Sequence, residues 1–290
     1  FETRAFEAEI AERSFNTLEK GTLQFVNETN FKRFLMILRS AGFMDSSLIG
    51  SQNAVNFAYI IFLILREENE NASKIEELVK RWYAMSILTN RYAGNPEGAF
   101  DYDIKRIREY GVEKYLKDEE DGQLSDAFWN YRLPQRLNTS VASSPYYRLY
   151  LAAQAKLQDK GFLSKSISIH DLILNRGDIH HIFPKAYLKK NGYSRSQYNQ
   201  IANYVLMQSE INISIGDRAP EDYFKEVYKQ CNDGDLKHGG INSIDDLKEN
   251  LQQHCIPEGI GQMTKDDYQD FLEARRKLMS QKIKTYYQSL

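Results

Sequence analysis

The chain has 290 residues, of which 42% are hydrophobic and 27% charged, and its formal net charge is −2. This is the profile of an ordinary soluble globular protein, long enough for one large or two ordinary domains. A charge so close to neutral excludes bulk electrostatic attraction to nucleic acid, so any such contact must use a local basic patch. Cys231 and Cys255 form no closely spaced pair and read as two reduced, semi-buried thiols in a reducing, cytoplasmic setting. The chain opens on Phe1 rather than Met, which points to a processed or excised piece of a longer protein.

The first 160 residues carry helical spacing. Ala5, Phe6, Ile10 and Leu18 define a first amphipathic helix ending at Lys20-Gly21. Thr29 is placed to cap a second helix, with Phe31, Phe34, Leu35 and Leu38 on one face and Gly42 as its stop. The run from Ala54 to Leu65 is apolar nearly all round. It falls well short of the ~20 residues that span a bilayer and reads as the central helix of a bundle, so no membrane is expected. Ile75, Leu78, Val79, Trp82 and Tyr83 follow at helical spacing. After a break at Gly94-Asn95-Pro96-Glu97-Gly98 comes a helix with Ile104, Ile107 and Tyr110. Further helical stretches lie at about 124–132 and 145–159, around a loop at 138–145.

The pattern changes after Gly161. Ser166-Ile167-Ser168-Ile169 alternates polar and apolar, so 166–173 and 178–182 are expected to form a hairpin around Asn175-Arg176-Gly177-Asp178. Pro184 suits the first turn of a short helix to Lys190, stopped by Asn191-Gly192. Asn203 to Met207 fits either strand or helix. Asp217 and Pro220 frame another helix start, a Gly- and Asp-rich loop spans 232–240, and a helix covers about Ile244 to Gln253. A last helix opens on the capping box of Thr264 and Asp267 and carries Tyr268, Phe271, Leu272, Leu278, Met279, Ile283 and Tyr286 on one face.

The chemistry concentrates in one stretch. The chain has five histidines, and two of them, His180 and His181, are adjacent where a strand should give way to a loop. Asn203 and Asn212 follow. Hydrolysis of a phosphodiester needs an activated water, charge stabilisation at the phosphate, and help for the leaving oxygen. A histidine titrating near neutrality suits the first task and a divalent cation the other two. An asparagine can fix the base's loop without adding a titrating charge. Lys185, Lys189, Lys190, Arg195 and Arg218 surround the stretch as a candidate phosphate-binding patch. His170, His238 and His254 read as loop or surface residues. Arg275, Arg276, Lys277, Lys282 and Lys284 read as the solvated face of the last helix.

The segment resembles an HNH (ββα-metal) nuclease motif. The resemblance implies His180 and Asn212 as metal ligands, His181 as general base, and Asn203 as the residue that fixes the His181 loop. Leu206 and Met207 match the apolar pair that follows the central Asn. Beyond the motif, His180-His181-Ile182-Phe183-Pro184-Lys185 and the string from Asn212 to Phe224 resemble the C-terminal nuclease half of GmrSD-type restriction and phage-defence proteins. The stretch from Asn90 to Ile104 also looks like a recurring element of that family.

The resemblance thus implies a mainly α protein, a helical bundle with an inserted ββα-metal motif. Residues 1–160 would form the helical domain, 161–219 the nuclease motif, and 220–290 the C-terminal helices packing on it. The implied function is metal-dependent cleavage of DNA, foreign or modified, with Mg²⁺ or Mn²⁺ as cofactor and Lys185, Lys189 and Arg218 on the phosphates. A nucleotide-dependent N-terminal half of the same polypeptide is the implied partner. Two neutral ligands would hold a hard cation weakly, with Asp178 supplying charge behind them. The 22 positions from His181 to Asn203 require an inserted helix or loop. The rival readings are an inactive DNA- or protein-binding module that keeps the fold, and a ribonuclease toxin.

Overall fold

The computed structural model describes residues 8–290, apart from the side chain of Asp233. The expectations at Ala5 and Phe6 lie outside the described residues. The first helix, α1 (Ala8–Phe25), runs through Gly21 instead of stopping there. A glycine inside a helix costs only about 1 kcal/mol relative to alanine, too little to end one by itself. α1 buries none of its residues, and Leu18 is exposed. α2 (Glu28–Ser40) is capped two residues earlier than expected, by Asn27 rather than Thr29: the Asn27 side chain accepts the Asn30 N–H at 3.0 Å. Phe34 and Leu38 of α2 are buried, while Phe31 and Leu35 remain partly exposed. Gly42 follows the helix with φ +99°, and a Cβ there would lie 2.1 Å from the Ala152 carbonyl oxygen. Only glycine fits that approach.

α3 (Gln52–Glu67) and α4 (Ala72–Thr89) pack extensively on each other and form the middle of the bundle. Each starts on a side-chain cap, Ser51 to the Ala54 N–H and Asn71 to the Lys74 N–H. α4 ends on Asn90 in the left-handed region, φ 56°. Beyond it, Arg91 donates to both carboxylate oxygens of Asp103, and Asp103 also accepts from Tyr92 and Tyr115. Within the Asn90–Ile104 stretch, Arg91, Tyr92 and Asp103 therefore form a polar staple, largely buried, between α4 and α5 (Pro96–Tyr110). α6 (Val112–Gln123) follows directly, set off only by Gly111 at φ +80°. Its charged sequence hid it from the periodicity reading, because it buries only Val112, Tyr115 and Leu116.

A π-helical turn (Phe128–Arg132), α7 (Leu133–Arg136) and α8 (Pro145–Lys156) complete the N-terminal half. The hairpin expected over 166–182 does not form. Ser168 and Asp171 make a reciprocal capping box that starts a short helix, α9 (Ile169–Leu174). Local side-chain capping of the backbone outcompetes the alternating pattern there. The strand β1 (Ile179–His181) instead pairs antiparallel with β2 (Tyr204–Leu206), in the register Ile179↔Leu206, His180↔Val205, His181↔Tyr204. Between the two strands run α10 (Lys185–Lys190) and α11 (Arg195–Tyr198). α12 (Ser209–Ile215), α13 (Pro220–Asp233) and α14 (Ile244–Gln253) follow.

The last helix, α15 (Tyr268–Gln288), ties the two ends of the chain together. It packs on α7, α8 and the π-helical turn, and Tyr286 donates to the Ala41 carbonyl at 2.6 Å. One buried apolar cluster is continuous from Phe34 through the β-ribbon to Tyr287. Lys282, expected on the solvated face, is mostly buried and paired with Asp159 at 2.7 Å, and two further expectations for α15 are overturned. Leu278 is partly exposed rather than on the packed face. Arg275 is fully buried rather than solvated: it donates to the carbonyls of His254 (3.1 Å), Ala202 (2.9 Å) and Tyr204 (2.8 Å). No helix among the described residues is long and apolar enough to cross a membrane, and both cysteines are free.

Candidate functional site

The β-ribbon brings His180 and His181 to the end of β1, where the chain leaves the sheet for Pro184. Asn203 sits directly before β2, in a 3₁₀ turn, and is fully buried. Its Oδ1 accepts the Phe183 N–H at 2.9 Å, while its Nδ2 donates to the carbonyls of Phe183 (3.1 Å) and Tyr198 (3.2 Å). Its own carbonyl accepts the Ile182 N–H at 2.9 Å. Tyr223 donates to the Ile182 carbonyl at 2.9 Å, and the Phe183 ring packs against Tyr268 and Phe271. The two residues after His181 are thus held on every polar group by Asn203, the ribbon and α13.

His180 is 9% exposed, and its Nε2 is buried with no hydrogen-bond partner. Burial pushes its pKa below the ordinary value, while the charge of Asp178 and the side chain of Asn212 pull the other way. Asn212, on α12, is thus an electrostatic neighbour of the ring, and Nε2 itself has no hydrogen-bond partner. His181 is half-buried, and its Nε2 lies 3.0 Å from Asn199 Oδ1. The rings of Tyr204 and Tyr198 meet it edge-on at 5.2 and 6.5 Å. Burial lowers its pKa most, the Asn199 bond raises it, and Lys185 and His180 lower it further. A neutral imidazole at neutral pH can accept a proton, which is what a general base requires.

The basic residues divide. Lys185 is exposed at the start of α10, with its ammonium 5.8 Å from the centre of the Tyr198 ring, beside His181. Lys189 is exposed on the same helix. Lys190 is paired with Asp217. Arg218 is half-buried and turns back on its own chain: it donates to the Ile215 and Ser214 carbonyls, which closes the C-terminal end of α12, and to Glu226 at 2.7 Å. With its guanidinium so committed, Arg218 is a structural residue here rather than a free phosphate contact.

Two histidines read as loop or surface residues are buried. His238 is 2% exposed and lies between Ser214 (Nδ1 to Oγ, 2.8 Å) and Glu226 (Nε2 to Oε2, 2.6 Å). Arg218 and His238 together hold the Glu226 carboxyl down at about 2. His254 is 1% exposed, donates from Nε2 to the Lys160 carbonyl at 2.8 Å, and is pushed by burial to about 3. His238 sits among Lys237 and two glycines, where hydropathy gives no sign of burial, whereas His254 directly precedes the buried Cys255 and Ile256. Asn199 was also missed, although Ser194 and Gln197 before it form a readable capping box. Arg275 had a signal too: with Phe271 and Met279 it recurs every four residues, which places it on the packed side of α15.

Among the described residues no group of three or more His, Cys, Asp or Glu side chains is arranged to hold a metal ion. The groups that fit a cation are fewer: the unpartnered, buried Nε2 of His180, with the Asn212 side chain and the charge of Asp178 acting on the same ring. Such a site leaves most positions to water and substrate oxygens.

No family model matches the chain, and no solved structure matches it. The chain is similar to an uncharacterised protein of Methanocaldococcus jannaschii, 27% identical over 221 residues. That alignment covers 71% of this chain and 36% of the relative, so the chain spans little more than a third of the relative's length.

Proposed function

We propose that the chain is a metal-dependent nuclease of the HNH type that hydrolyses DNA phosphodiesters, serving in restriction or phage defence. The observation that carries this reading is the arrangement at the end of the ribbon. A half-buried His181 stands beside His180, whose buried Nε2 lacks a partner and which interacts with Asn212, while Asn203 ties down the connecting loop. The defence role rests on the resemblance of the His180–Lys185 and Asn212–Phe224 strings. A nucleotide-dependent half of the same polypeptide is proposed on that resemblance alone.

In this reading His181 takes a proton from the attacking water as the water oxygen bonds to phosphorus. The bond to the 3′ oxygen then breaks, with its electron pair staying on that oxygen. Lys185 holds a non-bridging phosphate oxygen, its position steadied by the Tyr198 ring. His180 and Asn212 would hold a Mg²⁺ or Mn²⁺ ion, which when bound supplies positive charge to the phosphate and the leaving oxygen. Asn203 keeps the loop from His181 to Pro184 in one geometry.

Plasmid nicking across a series of divalent ions tests the reading. His181→Ala should lower cleavage at least about a hundredfold without changing the urea midpoint. Lys185→Ala should weaken DNA binding and reduce its salt slope by about one. Arg218→Ala should instead lower stability with little effect on the slope. Cleavage by His181→Ala at the wild-type rate refutes the assignment of the base. DNA binding without cutting by the wild type favours a binding module, and preference for RNA over DNA favours a ribonuclease.

A further inference from the structure

Among the described residues, the His181 ring has one side-chain hydrogen-bond partner, Asn199, at 3.0 Å from Nε2. Asn199 is delivered by α11. Ser194 and Gln197 cap the start of that turn, and the Asn199 N–H closes it on the Arg195 carbonyl at 3.1 Å. The Asn199 side chain makes no other hydrogen bond among the described residues, so its contact with His181 is the one polar use it has. Nδ1 of His181 also has no hydrogen bond among the described residues, and it is not sealed from solvent. Tyr198 and Tyr204 box the ring edge-on.

An amide oxygen only accepts, so its bond to Nε2 requires the proton to be on Nε2. The lone pair of the neutral ring is then on Nδ1. We infer that Asn199 is the positioning residue for His181: its oxygen holds the Nε2–H and thereby presents Nδ1 as the ring's free basic atom. The inference rests on the nuclease reading for its kinetic consequence alone. It gives the long interval between His181 and Asn203 a use, since α10 and α11 carry the chain out and return it with Asn199 against the ring. When Nδ1 accepts the water proton, the imidazolium keeps its Nε2–H on Asn199, so the ring need not turn during the step.

The test combines imidazole N–H resonances with kinetics. In ¹⁵N-labelled protein, with His181→Gln to assign the peak, the wild type should show a His181 Hε2 proton protected from exchange. Asn199→Ala should lose that protection. Asn199→Asp should keep it, because it retains an acceptor and cannot turn an amide nitrogen to the ring. In cleavage assays Asn199→Ala should lower kcat about tenfold to a hundredfold with KM changed less than about twofold, and Asn199→Asp should recover most of the loss. A protected Hδ1 in place of Hε2 overturns the inference, as does Asn199→Ala with wild-type Hε2 protection or wild-type kcat. If the wild type cuts neither DNA nor RNA, the nuclease reading fails, and the Hε2 resonance still decides whether Asn199 holds the ring.

Discussion

Replacing Asn203 with alanine should destabilise the protein by about 3 kcal/mol, and the figure can be built from its contacts. The residue is 0% exposed, and its side chain makes three hydrogen bonds to backbone, at 2.9, 3.1 and 3.2 Å. Truncation strands the Phe183 N–H and carbonyl where water cannot reach them, and leaves the Tyr198 carbonyl only a long bond from the Tyr268 hydroxyl at 3.3 Å. A stranded buried group costs roughly 1–3 kcal/mol. We take about 2 for the N–H, which has no second option, and about 1 for the two carbonyls together, since carbonyls tolerate undersatisfaction better. With a urea slope of about 3 kcal/mol per molar, the midpoint should fall by about 1 M at constant slope. Asn203→Asp should be worse than alanine at neutral pH, because it keeps the acceptor for Phe183 but turns a carboxylate oxygen toward two carbonyls in the interior. A loss below about 0.5 kcal/mol for Asn203→Ala, or an aspartate variant more stable than the alanine one, would refute the reasoning.

Two further outcomes concern the support behind the ribbon. Arg275→Met should cost about 3 kcal/mol in the same urea assay, because it deprives the carbonyls of Ala202, Tyr204 and His254 of their donor, whereas the exposed Lys277→Met should stay within about 0.5 kcal/mol of wild type. Acid should destabilise the fold before the carboxylates titrate. The pKa of His254 falls from 6.5 to about 3 on folding, so below pH 6.5 the unfolded chain binds the extra proton. Its contribution is full above pH 6.5 and is lost as pH falls toward 3, at up to about 1.4 kcal/mol per pH unit. Urea midpoints between pH 7 and 5 should therefore decline, and His254→Gln should flatten the decline; an unchanged slope in that variant would show that His254 is not the group responsible.

Much of the helical architecture follows from local sequence. The apolar run from Ala54 to Leu65, the capping box at Thr264 and Pro220 at a helix start act over one or two turns, and each appears in the structure where its spacing places it. Local competition was harder to weigh. The pattern at 166–169 suggested a strand, yet the Ser168–Asp171 box made a helix, and α6 stayed hidden because it buries so little. The adjacency of His180 and His181 and the nine-residue step from Asn203 to Asn212 were visible as a string. Their geometry was not.

What the sequence determined by itself was the inventory: most of the longer helices, and which few polar residues stand where apolar ones are expected. Only the tertiary structure decided that β1 pairs with β2 across more than twenty residues, that Asn199 returns to His181, and that Arg275 and His254 are interior while Arg218 is spent on its own helix end. The physical reason is one of range. Caps and apolar periodicity act between residues three or four apart. The burial and partners of a polar side chain depend on which distant carbonyls the fold brings beside it, and no local pattern records that distance.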